Sequence, residues 1–303
     1  MTATQDTTTN ADAVYATVCY ADVFDMPIEL DHLHRYLVGV QLGFDDVDRL
    51  VDQLVSEGRL ARREQLVHLP DRSDVLAIWE ERTTRAETMW RDAERWGSRI
   101  GRLPFVRMVA VTGGLAVDSV ADHDDIDYFI VIRPGRLWLT RAMVLVLARI
   151  AARDDLDLCP NFIVADTTLA MTEQTLYVAR ELAQMITIVG PDVARTVRTT
   201  NDWMFELLPN ASVDGDVSRV TDQSVHALQL LAERILLLPP FGWLEKWEMD
   251  RKIAMLTNVR SRRAEVGAPD ESSFSPDICK GHMVGNAAGI DVAWRARVCG
   301  VHN

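Results

Sequence analysis

The stretch Val106–Ile132, VRMVAVTGGLAVDSVADHDDIDYFIVI, decides how the rest of this 303-residue chain is read. Val106–Val111 and Ile126–Ile132 are apolar runs of strand length, rich in β-branched residues. Thr112-Gly113-Gly114 makes a turn after the first, and Asp125 and Asp127 stand at the start of the second. Residues two apart on a strand point to one face, so both carboxylates project together. Two adjacent anions are costly unless a cation neutralises them, and hard divalent ions such as Mg²⁺ prefer carboxylate oxygens. The glycines permit close backbone approach and can aim N–H groups at an anion. An acid pair for a metal, opposite a phosphate-sized glycine turn, implies a nucleoside triphosphate site.

The same residues resemble the signature of the nucleotidyltransferase superfamily that includes DNA polymerase beta. That pattern is an apolar strand, Gly-Gly or Gly-Ser, a spacer, then Asp-x-Asp or Asp-x-Glu within a strand. Gly113-Gly114 and Asp125-Ile126-Asp127 match it, and the resemblance to the superfamily core covers about 106–189. Nearly the whole chain resembles a bacterial group of nucleotidyltransferase-like proteins, through the segments YADVFDMP, LPFVRMVAVTGGLA, PGRLWLTR, LCPNF and CKGH. The resemblance implies an α+β fold: a small mixed polymerase beta-like sheet with helices, a winged-helix-like N-terminal domain and a helical C-terminal module. It implies Mg²⁺ on Asp125 and Asp127, and the phosphates of a nucleotide near Thr112, Gly113 and Gly114. It also implies a third carboxylate on a following strand; Asp157 is the first choice, Asn161 a neutral alternative, and Asp166 lies at the far end. Gly114 departs from the commoner Gly-Ser form and offers no hydroxyl to a β-phosphate.

Composition bounds the alternatives. Hydrophobic content of 48% and charged content of 25% are those of a globular protein. A net charge of −13 disfavours non-specific binding to nucleic acid or anionic membranes, which need a positive footprint. Cys19, Cys159, Cys279 and Cys299 are scattered without a CxxC pair, as expected of reduced thiols in a cytoplasmic protein. The apolar run Ala142–Ala148, fenced by Arg141 and Arg149, is far too short to span a bilayer.

Punctuation divides the chain into a disordered leader (1–10), a winged-helix-like domain (11–73), a connecting helix (74–103), the core (104–211) and a helical C-terminal module (212–303). Helices are expected over 12–26, 30–37 and 45–56, followed by a hairpin at 60–69. The third helix carries Asp45, Asp46, Asp48 and Asp52, which would repel a phosphate backbone. The helix 74–100 spaces Trp79, Trp90 and Trp96 along one stripe, either as core or as a base-stacking platform.

Beyond the acid pair, a helix is expected over 137–153, a strand over 156–165 with Pro160 marking an edge or a bulge, and a helix over 173–188 ended by Gly190-Pro191. Arg136, in the turn before the first of these helices, is the preferred phosphate ligand; Arg141 and Arg149 either neutralise phosphate charge or reach for solvent. Glu181 and Gln184 face the site or solvent. Helices are expected over 218–238 and 241–258, separated by Pro239-Pro240, then a loop at 272–282 and a helix over 284–297. In that loop Lys280 can reach a phosphate and His282 can act as acid, base or phosphate ligand; the alternative is a surface loop. The expected activity is Mg²⁺-dependent transfer of a nucleoside monophosphate to a hydroxyl or amine, on a small molecule because the surface is acidic. The competing expectation is a non-catalytic nucleotide-binding regulatory or antitoxin-like module.

Overall fold

The structure is a computed structural model that describes residues 9–221, 227–265, 272–281 and 286–300. Helix α1 (Asn10–Asp22) opens with a reciprocal cap in which Thr9 and Asp12 satisfy each other's backbone N–H groups. Strand β1 (Ile28–Glu29), α2 (Leu30–Arg35), α3 (Phe44–Ser56), β2 (Ala61–Arg63) and β3 (Leu66–His68) follow. The strands form a three-stranded antiparallel sheet in the order β1-β3-β2, so β1 adds a strand to the expected hairpin. Val14, Val18, Leu33, Val47, Val51, Leu54 and Val67 fill the core of this unit. The acidic face of α3 is partly matched within the fold, because Arg62 on β2 bonds Asp48 at 2.7 Å and Asp52 at 3.0 Å.

Helix α4 (Asp74–Gly101) leads into the main sheet. Trp79, Trp90 and Trp96 are all buried, so the stripe is core and not a stacking platform. Gly97 lets α4 approach the sheet closely: a Cβ there would meet Ile188 and Tyr128 side chains at 3.2–3.3 Å. Strands β4 (Val106–Val111) and β5 (Ile126–Ile132) keep the expected limits. Then come α5 (Leu137–Ala151), β6 (Leu158–Ala165), α6 (Leu176–Gln184), β7 (Ile186–Val189), α7 (Pro191–Thr200), α8 (Met204–Leu207), α9 (Ala227–Leu236), α10 (Pro239–Glu265), β8 (Ser273–Phe274), β9 (Ile278–Lys280) and α11 (Asn286–Val298). The second sheet is mixed, in the order β7-β4-β5-β6-β9-β8, with β5 and β6 parallel and every other pair antiparallel. One face packs under α4 and α5 through Ile126, Tyr128, Ile130 and Trp138; the other packs under α6 and α7 through Ala110, Phe129, Val131 and Leu182.

Three expectations change, and the open choice at Pro160 between an edge and a bulge is decided for the bulge. The helix over 173–188 stops at Gln184, and Ile186–Val189 pairs with β4 as an edge strand. Its Ile-Thr-Ile-Val run suits a pleated surface once β4 offers an open edge. Pro191 starts a helix instead of ending one, as does Pro239, because a first helical position needs no N–H. Pro160 sits in an interior strand, accommodated by a bulge: two steps on β5 (Asp127 to Phe129) face three on β6 (Cys159 to Phe162). The 272–282 segment is not a loop. Over its described residues it forms the β8–β9 hairpin, which extends the sheet beside β6, so the stretch after residue 212 is not wholly helical. Among the described residues no helix is long and apolar enough to cross a membrane.

Candidate metal and nucleotide site

Antiparallel pairing of β4 with β5 brings the glycine turn beside the acid pair. Val111 faces Tyr128 in the register, and Thr112 N donates to Asp127 O at 3.0 Å. Gly113 has φ +68°, and a Cβ on it would lie 2.7 Å from Asp127 Oδ2; only glycine fits. Gly114 is pinned differently, since a Cβ there would meet Ser119 O at 2.5 Å. The loop closes through Ser119 N to Gly114 O (2.9 Å), and Trp90 Nε1 of α4 holds Asp118 at 2.6 Å. The long helix therefore positions the turn that clasps Asp127.

Asp125, Asp127 and Cys159 offer one ligand atom each, all within 4.8 Å of one another. The register places Cys159 opposite Asp127, two residues from both Asp157 and Asn161, the positions considered for a third carboxylate. Burial pushes the Cys159 thiol well above its ordinary value, and the two carboxylates push it further, so it stays protonated and donates to them. Burial raises Asp127 to about 7, with the charges of Asp125, Glu181 and Asp124 adding to the effect and the Cys159 thiol opposing it. Glu181 on α6 is raised to about 7 by burial, against a hydrogen bond from the Gly113 N–H. Glu181 thus lies against the glycine turn and, half-buried, lines the cavity that Thr112 also lines. Its neighbours Val178 and Leu182 on the buried stripe of α6 were the sequence signal for that orientation.

The donor set fits Mg²⁺. That ion is held by one or two carboxylates and completes its octahedron with water and substrate phosphates. Asp125 and Asp127 supply the carboxylates, and the protonated thiol stands beside them as a hydrogen-bond donor, a soft atom that Mg²⁺ does not select.

The other expected site residues divide. Thr112, Lys280 and Glu181 line one cavity of about 910 Å³, open mouth included, on the α6 face, with Phe129, Phe162 and Leu182 as apolar walls. Lys280 is already paired there, its Nζ 2.9 Å from Glu173 Oε2. Asp157 is exposed just before β6; its carbonyl accepts from Ile126 N at 2.9 Å, and its side chain rims a second cavity with Asp125. Asn161 lies in the bulge and lines both cavities. Arg136 is not at the site: it follows the far end of β5, its guanidinium 5.8 Å from the Phe105 ring. Seven strand residues at about 3.3 Å each separate it from the acids by about 20 Å. Because α5 runs back along the sheet, Arg141, one turn further on, lines the second cavity instead. His282 lies outside the described residues. Comparison with known proteins finds no matching family model, no matching curated protein and no matching solved structure.

Proposed function

We propose that this protein is a Mg²⁺-dependent nucleotidyltransferase of the polymerase beta-like kind, carrying a winged-helix-like N-terminal unit. The observation that carries the reading is the clasp of Asp127 by Gly113, which fixes two parallel carboxylates beside a glycine turn at the open end of a mixed sheet. Asp125 and Asp127 would hold the ion, which neutralises charge on the phosphates when bound. Thr112 of the turn lines the cavity on the α6 face, where the donor nucleotide would lie. The acceptor's oxygen or nitrogen bonds to the α-phosphorus, the bond from that phosphorus to the bridging oxygen breaks, and pyrophosphate leaves. Asp157, which lines the opposite cavity together with Asp125, would take the acceptor's proton. The acidic surface favours a small-molecule acceptor over a polynucleotide.

Calorimetric titration of ATP, CTP, GTP and UTP with and without Mg²⁺ tests this. Metal-dependent binding of one nucleotide is expected in the wild type, with loss in Asp125→Asn and Asp127→Asn and loss of pyrophosphate release in both. Two observations favour a non-catalytic nucleotide-binding module as the second reading: a thiol as the third member of the acid cluster, and a further carboxyl, Glu181, beside the glycine turn where phosphates would lie. Nucleotide binding indifferent to Mg²⁺ and to both substitutions would establish that reading in place of the first.

A further inference from the structure

The second cavity, on the α5 face, holds about 1020 Å³, open mouth included. Its walls include the apolar side chains Leu145 of α5, Leu256 of α10 and Phe274 of β8. Among the residues lining it, two carry buried polar atoms with no protein partner: Arg141 Nε and Asn161 Oδ1. Among the described residues no ion pair involves Arg141; its guanidinium lies 5.8 Å from the Trp138 ring and beside the Cys279 thiol. A buried donor and a buried acceptor each cost free energy until a partner arrives. The planar fork of an arginine is matched by a carboxylate or a phosphate, and an amide oxygen by an N–H or O–H. Asp125 and Asp157 rim the same space, so a second anion is welcome only where the arginine lies and where the acid pair has been neutralised.

We infer that this cavity holds the acceptor, and that the acceptor is a small organic acid. Its carboxylate or phosphate pairs with Arg141, its apolar body lies between Leu145, Leu256 and Phe274, and its hydroxyl or amine donates to Asn161 on the way to Asp125. The inference rests on the nucleotidyl-transfer reading for the name acceptor, but the pocket's preference for an acid is separately measurable.

The test is calorimetry on the full chain in Mg²⁺ with hexanoate, hexyl phosphate, hexylamine and hexanol as probes. The wild type is expected to bind one or both acids and neither the amine nor the alcohol, and the stronger of the two acids identifies the anion. Arg141→Met should weaken that acid by about tenfold or more, as loss of a bidentate charged pair does. Leu256→Trp, which fills the space and spares the arginine, should weaken it too. Circular dichroism checks that each variant is folded, and Arg141→Lys, which keeps the charge and loses the fork, serves if the methionine variant is not. Acids that bind every variant as well as the wild type, or that bind no folded protein, overturn the inference. So does an Arg141→Met protein that loses Mg²⁺-nucleotide binding and keeps the acid, because Arg141 would then serve the donor. The nucleotide titrations are run in parallel: acid binding without any Mg²⁺-dependent nucleotide binding would remove the transferase reading and leave the acid pocket standing.

Discussion

The two carboxyl groups that ordinary values would make fully ionised, Asp127 and Glu181, are both held near 7 by burial, and mutual repulsion raises Asp127 further. A carboxyl whose folded pKa lies above its unfolded value keeps its proton longer in the folded state. Such a group costs no stability below the unfolded value, costs progressively more as pH rises, and levels off above the folded value. Metal-free protein is therefore expected to lose stability between about pH 4 and pH 7 at these two positions, whereas Asp12 and Asp216, whose values are lowered, act in the opposite sense below that window. Urea midpoints across that range, wild type against Asp127→Asn, isolate the contribution: the substituted protein should gain over the wild type as pH rises. Mg²⁺ should close the gap at alkaline pH by favouring the ionised pair. Equal midpoints at all pH values would remove Asp127 as a buried, repelled acid. Gly113 was legible in the sequence as a turn glycine; that its missing Cβ makes room for Asp127 itself was not, because the contact joins two strands.

Helix α5 shows how one segment supports another. Its first turn leaves backbone N–H groups without helical partners, and Glu245 of α10 takes two of them: Trp138 N at 2.9 Å and Leu139 N at 2.7 Å. The carboxylate is buried and also faces the positive end of the helix dipole. Glu245→Ala should cost about 2–3 kcal/mol, since two buried donors lose a charged acceptor, measurable by urea denaturation. Because Arg141 rides on the same helix, acid binding in the second cavity should weaken with it. Arg198, fully buried, plays a similar part at the other end of α6, donating to Leu182 O, Met185 O and Asp214 O and so fixing the helix that carries Glu181. Pattern alone placed helices over 137–153 and 173–188, of which the second ends four residues earlier, at Gln184. It could not say that Arg136 would be left at the far end of the sheet and Arg141 carried to the cavity, since that depends on the direction in which α5 returns.

Across the molecule, the last helix closes on the first. Asp22 of α1 is buried between Arg72 (2.9 Å) and Arg297 of α11 (2.5 Å), and Trp294 Nε1 donates to Ala16 O at 2.8 Å. Removing the shared carboxylate leaves Arg297 without its ion-pair partner, while Arg72 keeps Asp25 and Asp74. Asp22→Ala is expected to cost about 3 kcal/mol and to loosen α11 before the sheet, seen as faster hydrogen exchange over 286–300. Uniform exchange with an unchanged midpoint would show that α11 is held by its apolar contacts alone. The hairpin β8–β9 makes a second long-range closure: Gly281 N donates to Asn161 O at 2.8 Å, tying the C-terminal stretch to the bulge that lines both cavities.

What the amino-acid order determined by itself is local. The limits of β4 and β5, the turn at Thr112–Gly114, the parallel projection of Asp125 and Asp127, and the buried stripe of α4 all follow from side-chain period, β-branching and glycine placement over a few residues. The tertiary structure decided whatever needed a distant partner. Ile186–Val189 became a strand only because β4 had a free edge, and 273–280 became sheet only because β6 had one. Cys159 came to face Asp127 through a parallel register set by the α5 crossover, and Glu181 turned inward because α6 packs over that register. Pairing and packing are non-local energies, so no window of sequence contains them.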